Sequence, residues 1–531
     1  MDTIFFHGRI HTMDDSGRVV EALGVEDGKV AFLGSDREAA HIECRERIDL
    51  KGRFVLPGFA DSHMHLLHYA YTETSVTLNG SRSVEEVLDR VRQYLAAHPT
   101  CTGLFARGWN EDEFDEPRYP TKEEVEALNP DIPICLARVC GHVAVVNRRG
   151  LEKLKARPEF GDFAGQIRED KGIITENAVQ YYRGVLDSPS EQEIKNLLTY
   201  GVSKLHEAGI TSVQSDDLSS LPGKDAGRVL AACQGLDREG GLAVDYYEQC
   251  LFERYQDLET FIGKGYRTGQ TGSSFTIGPV KLIQDGSLGA RTAALCEPYE
   301  GELENRGESI FDQETLNRFF VLADQNAMQV AVHCIGDRAM DMTLQAIAQS
   351  GGRKQNPKNR HGLVHVQISN RKILERMRAL DVLAYIQPVF IDYDMNIVEE
   401  RIGRRRMDGI YAWKSMLDLG LHASGGSDAP VVSFDVLENI YYAVTRKNRK
   451  GEPKGGWIPE ERLSVDQAIR LFTRGSAYAR YQEDESGSLE PGKWANMVLL
   501  SDDLYAIRPE AIKDVHVLET IYRGKSVYRF V

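Results

Sequence analysis

The sequence predicts an α/β protein: a (β/α)8 TIM barrel with a small discontinuous β-sandwich domain from both termini and an insertion after the first barrel strand. Three observations predict it. Eight short apolar, strand-like runs follow one another through the middle of the chain, with helical patterns between most of them. Both chain ends read as hairpin-forming β structure. More than 100 residues separate the first two barrel runs, far more than an ordinary βα loop needs.

Taken in order, residues 1–57 place Asp27-Gly28 between VEALGVE and KVAFLG, and Lys51-Gly52 before FVLPGF. Both dipeptides are turn signals, and Asp-Gly between apolar runs marks a hairpin. VLPGFADSH is the first barrel strand. The insertion, about residues 80–190, opens with a helix capped by Ser83 and Glu86, with Val84, Val87, Leu88, Val91 and Leu95 on its apolar face. It also holds GLFARGWNEDEFD, ICLARVCGHVAVVN and GIITENAVQ. Barrels vary through their βα loops, so this segment is expected over the barrel mouth.

Ser190 and Glu193 then cap a helix with Ile194, Leu197, Leu198, Val202 and Leu205 on one face, stopped by Gly209. ITSVQS, LAVDYYEQ, VKLIQD, MQVAVHC, GLVHVQ, VLAYIQP and LHASGGSD complete the eight runs. The tail returns to β structure, with WANMVLL and then VHVLETIY and KSVYRF on either side of Arg523-Gly524. The expected domains are 1–57 with 480–531 for the sandwich and 58–479 for the barrel.

At 531 residues the chain is long enough for a large barrel and a companion domain. Its 42% hydrophobic and 27% charged content is that of a globular protein. A net charge of −16 argues against a surface that tracks nucleic-acid phosphates. The short basic stretch Arg446, Lys447, Arg449, Lys450 reads as a solvated loop. No run approaches the ~18 apolar residues of a membrane helix. The N-terminal apolar run is broken by His7 and Gly8, unlike a secretory signal. The eight cysteines form no C-x-x-C pair and read as reduced thiols. A cytoplasmic protein with a small-molecule substrate is expected, with no nucleic-acid or membrane partner and with room for a homo-oligomer.

His63 and His65 form an H-x-H at the end of the first barrel strand, where residues two apart share a face. His333 ends MQVAVH, His365 ends GLVH, Asp428 ends HASGGSD, and Lys281 lies in GPVKLIQDGSLGARTA. Any one of these is an ordinary core or surface residue more often than a ligand. As a set they sit at the C-terminal ends of separate strands, where a barrel gathers catalytic groups. Imidazole and carboxylate donors suit a divalent metal, zinc best, with manganese, iron or nickel as alternatives.

Together with PGFADSHMH, VAVHCIGDRA, SGGSDAPV and GSLEPGKWANMVLLS, these residues resemble the amidohydrolase superfamily. GWNEDEF and CGHVAVVN resemble its family 3 branch, the YtcJ-like metal-dependent hydrolases. That resemblance implies hydrolysis of a non-peptide carbon–nitrogen bond by a metal-activated hydroxide, with one or two zinc ions. His63, His65 and Asp428 would hold one ion, and His333 and His365 the second. Lys281 would bridge them as a carboxylated lysine, and Asp428 would also shuttle the proton. His142, in the insertion, is a second catalytic candidate and a substrate contact. Trp109, Glu176 and Arg291 are further substrate-binding candidates, against plain readings of core packing, a surface acid and a local ion pair. Two positions depart from the family pattern: Asn496 replaces an Asp in the tail, and Val364 replaces an acid before His365. Lactone or ester hydrolysis, an isomerisation, or a regulatory protein without catalysis are the alternatives on the same scaffold.

Overall fold

The computed structural model describes residues 1–351 and 359–530. They form two compact units: Met1–Leu66 with Thr199–Asp217 and Cys233–Val531, and Leu67–Leu198 with Leu218–Ala232.

The first unit contains the barrel. Its strands are β1 (Phe59–Met64), β2 (Ile210–Ser215), β3 (Asp245–Leu251), β4 (Phe275–Ile283), β5 (Val330–Cys334), β6 (Gly362–His365), β7 (Leu383–Ile386) and β8 (Ala423–Gly425). Each pairs in parallel with the next in the chain. β2 and β7 are buried at every residue, as strands covered on both faces must be. Amphipathic helices lie between strands, and three of them open with a side chain that accepts a backbone N–H. Asp312 caps Gln313–Gln325, Asn370 caps Arg371–Leu380, and Asp435 caps Val436–Thr445.

The barrel closes through the residues just past β8. Asp428 N donates to the His63 carbonyl (2.7 Å), and His65 N donates to the Ala429 carbonyl (2.7 Å). Asp61 Oδ1 accepts from His63 N (3.0 Å) and Ser427 N (3.2 Å), tying the same two segments. A Cβ on Gly426 would stand 2.6 Å from His63 N, so only glycine allows this approach.

The sandwich joins both chain ends. Phe54–Pro57 pairs antiparallel with Met497–Leu500 at the centre of a six-stranded sheet. A four-stranded sheet holds Thr3–Phe6, Ala22–Glu26, Lys29–Gly34 and Glu46–Asp49. Phe5, Leu23, Val25 and Val30 of the smaller sheet share a core with Val55, Met497, Leu499 and Ile521 of the larger. The Asp27-Gly28 and Arg523-Gly524 turns have positive φ at both residues (51° and 76°, 47° and 76°), the geometry of tight hairpins.

VLPGFADSH is not one barrel strand. Gly58 divides it, leaving Phe54–Pro57 in the sandwich and Phe59 onward in the barrel. Gly58 N donates to the Asn496 carbonyl (2.8 Å), while Phe59 N donates to the Gly209 carbonyl (2.9 Å). A Cβ on Gly58 would meet Thr211 Oγ1 at 2.4 Å, which reserves the crossover for glycine.

The basic stretch is also not simply solvated. Arg446 is fully buried, with its guanidinium 4.4 Å from the Trp413 ring and 5.3 Å from the Trp457 ring. It donates to the Trp457 and Tyr411 carbonyls (2.8 and 3.0 Å).

The second unit is built on a five-stranded sheet in the order Ile167–Arg168, Ile173–Thr175, Val143–Val146, Ile134–Arg138, Leu104–Trp109. Alternate residues feed two cores. Leu136 and Val145 join Val84, Val87 and Leu88 of the Ser83-capped helix, while Cys135, Ala137, Ala144 and Val146 join Leu151 and Tyr182. Among the described residues, no helix is long and apolar enough to cross a membrane, and the eight cysteines are free thiols.

Candidate metal centre

Four imidazoles gather at the strand C-termini of the first unit. Ring centroids of His63 and His65 are 5.4 Å apart, His63 and His365 5.8 Å, and His333 and His365 4.4 Å. His63 ends the inward face of β1, and His65 follows it by two residues. His365 ends β6 with a φ of +80°, and Val366 follows at +52°, so the chain leaves the extended conformation at the imidazole itself. Asp428, at φ +65°, turns its carboxylate back toward β1.

The hydrogen bonds assign each tautomer. Gln249 Nε2 donates to the Ser62 carbonyl (3.0 Å), so its Oε1 faces His63, whose Nδ1–H donates to it (2.7 Å). Gln387 repeats the device: Nε2 donates to the Tyr385 carbonyl (3.2 Å), and Oε1 accepts from His365 Nδ1 (2.9 Å). His65 Nδ1 donates to the Asp216 carbonyl (3.0 Å). His333 Nδ1 donates to Asp285 Oδ1 (3.0 Å). The Asp285 carboxylate is itself held by the N–H groups of Ala294, Ile335 and Gly336 (3.0, 3.1 and 2.8 Å). All four rings thus spend Nδ1–H on the protein, which leaves Nε2 as the nitrogen for an ion, the arrangement that metal-ligating histidines adopt.

His63 Nε2 and His65 Nε2 lie 3.3 and 3.2 Å from the same oxygen, Asp428 Oδ1. One ligand atom from each of these residues falls within 4.8 Å of the others. Two nitrogen lone pairs and a carboxylate oxygen at this range repel unless a cation or a proton lies between them. The donor set therefore fits a divalent metal. Burial would raise the pKa of Asp428, but the bonds with His63 and His65 hold it well below the usual carboxylate range. Burial lowers the pKa of His65, and Asp428 and Asp216 outweigh this and bring it to about 9. His63 and His365 are pushed down by burial, and by Lys281 and His333 respectively. Burial also lifts Asp61, beneath His63, to about 7.

Lys281, on β4, is 2% exposed, and its Nζ stands 3.7 Å from Asp216 Oδ2. Arg291 pairs with Glu302 (3.0 Å) and Glu400 (3.1 Å), the local ion pair of its plain reading. His142 and Glu176 belong to the second unit, where His142 Nδ1 meets Glu176 Oε2 at 2.9 Å, both exposed. Trp109 does not line a pocket. Its indole is fully buried in that unit's core and donates to the Leu136 carbonyl (2.9 Å). Val364 packs with Ala331, Leu383 and Tyr385. Sequence reasoning missed Gln249, Gln387 and Asp216. Polar residues at or just past the ends of β2, β3 and β7 were the available signal.

A parallel eight-stranded barrel with this donor set past its strand ends defines the class of barrel enzymes built around a catalytic cation. The Amidohydrolase family model matches residues 46–528, and the chain belongs to that family as a hydrolase. It is 32% identical to the putative amidohydrolase YtcJ of Bacillus subtilis, over 99% of each chain. It superposes on an uncharacterized metal-dependent hydrolase of Pyrococcus horikoshii with a TM-score of 0.77, at 28% identity, covering 96% of this chain and 99% of that one. It is 23% identical to the N-substituted formamide deformylase of Arthrobacter pascens, over 99% of this chain and 98% of that protein.

Proposed function

We propose that the protein hydrolyses a non-peptide carbon–nitrogen bond of a small amide, with His63, His65 and Asp428 holding one divalent cation and His333 and His365 a second. The observation that carries this reading is the shared anchoring of the four imidazoles at Nδ1, with Nε2 of His63 and of His65 converging on one Asp428 oxygen. Zinc matches imidazole and carboxylate donors, and when bound it supplies Lewis acidity and a water acidic enough to act near neutral pH. Lys281 would join the two positions as a carbamate, formed when its neutral amine adds CO2 and releases a proton. A carbamate offers two anionic oxygens, whereas an ammonium repels a cation. Asp428 is ionised at neutral pH, so it accepts the proton lost by the nucleophile and returns it to the departing nitrogen. Likeness to the formamide deformylase supports an amide over a lactone.

The test is a screen of zinc-loaded full-length protein on N-substituted formamides, N-acyl amino acids and lactones. Amine release is expected, and turnover confined to lactones would replace the amide reading with an ester one.

A further inference from the structure

Asp245 opens β3, at the end of the barrel opposite the imidazoles. Its Oδ1 accepts from Tyr522 Oη (2.8 Å) and Arg523 Nη2 (2.9 Å), and its Oδ2 from Arg480 Nη2 (3.2 Å). Two guanidinium groups thus face one carboxylate. Arg480 and Asp245 are 6% and 7% exposed and Arg523 is 22%, so solvent screens the Arg480 side of this surplus poorly. Nearby acids are engaged elsewhere: Glu485 with Lys29 (3.1 Å) and Glu490 with Lys493 (2.9 Å). The side chain that completes the cluster is neutral. Asn496 Oδ1 accepts from Arg523 N (2.8 Å), and its Nδ2 stands 3.5 Å from Asp245 Oδ2.

A small cavity lies against this cluster, with room for about one water-sized sphere. Arg480, Asn496, Ser212, Ser486, Ser488 and Trp494 are among its lining residues. Two buried polar atoms of that lining, Arg480 Nε and Ser212 Oγ, have no hydrogen-bond partner among the described residues. Buried donors of this kind are nearly always satisfied, and the cavity that both residues line offers the place for their partner.

We propose that this cavity is a structural site for a monatomic anion, chloride in the cell. Arg480 Nε–H and the Ser212 hydroxyl donate to it. A water would satisfy these donors but add no counter-charge beside Arg480, whereas a halide does both. By this account Asn496 matters through the charge it lacks, because an aspartate there would supply the counter-charge covalently.

The experiment is anomalous diffraction from crystals of the full-length protein soaked in bromide, with thermal melts in chloride against gluconate at constant ionic strength. The expected result is a bromide peak within hydrogen-bond distance of Arg480 Nε and Ser212 Oγ, and a Tm that rises with chloride. Asn496→Asp should abolish both the peak and the chloride response. If that variant fails to fold, Ser212→Ala, which removes one donor and leaves the charge, should lower bromide occupancy at the same place. A cavity holding only water in crystals that show bromide elsewhere would overturn the proposal. So would a bromide peak undiminished in Asn496→Asp or, where that variant does not fold, in Ser212→Ala.

Discussion

His63 Nδ1 sits 2.7 Å from Gln249 Oε1, and Gln249 is pinned in turn by its bond to the Ser62 carbonyl. The pair sets which nitrogen of His63 can bind an ion. Gln249→Leu removes the acceptor and frees the ring to change tautomer and angle. Zinc affinity should fall about 10–100-fold, with Gln249→Glu restoring much of it. Competition with a chelating dye measures this. Unchanged affinity in the leucine variant would mean that His63 does not ligate through Nε2.

Asp428→Asn separates holding a cation from moving a proton. Asparagine tolerates the left-handed backbone at this position, where φ is +65°. Its amide oxygen can still face the ion but cannot take the proton. We expect kcat to drop ~10²–10⁴-fold with far less loss of bound metal. Elemental analysis and steady-state kinetics on one preparation decide it, and near-normal turnover would remove Asp428 from the proton path.

Lys281→Ala should lower the metal-to-protein ratio, because the bridge between the two positions is lost. Short carboxylic acids in the buffer should restore part of the metal and part of the activity by filling the gap. A full metal complement in the variant, indifferent to added acid, would leave Lys281 as an ion-pair partner of Asp216 alone.

Asp394 offers a stability test away from the site. It is buried, accepts the Tyr411 hydroxyl (2.5 Å), and burial raises its pKa from 3.8 to about 6. The folded state therefore holds a proton that the unfolded chain releases, so stability falls as pH rises from about 4 to 6 and is flat beyond. Asp394→Asn keeps the acceptor and removes this penalty. It should gain up to about 3 kcal/mol over wild type at pH 7, and nothing at pH 3.5. Urea melts at the two pH values measure the difference, and an equal gain at both would exclude ionisation as its cause.

Much of the architecture was determined by the sequence alone, because local chemistry carries it. Period-two burial, the caps at Ser83 and Ser190, and the Asp27-Gly28 and Arg523-Gly524 turns involve residues a few positions apart. The histidines at strand ends could be found for the same reason, since a strand's C-terminal end is a local property. Only the tertiary structure decided what those histidines point at. Gln249 lies 186 positions from His63, and no spacing rule links them. Only the fold showed that Gly58 divides one apolar run between two sheets, where Thr211 leaves no room for a side chain. It also placed Trp109 in a core rather than a pocket, and Arg446 between two indoles rather than in water. A large apolar ring or a long cationic stem is compatible with either setting. The choice depends on which distant surfaces pack against it, and that is absent from any local window of sequence.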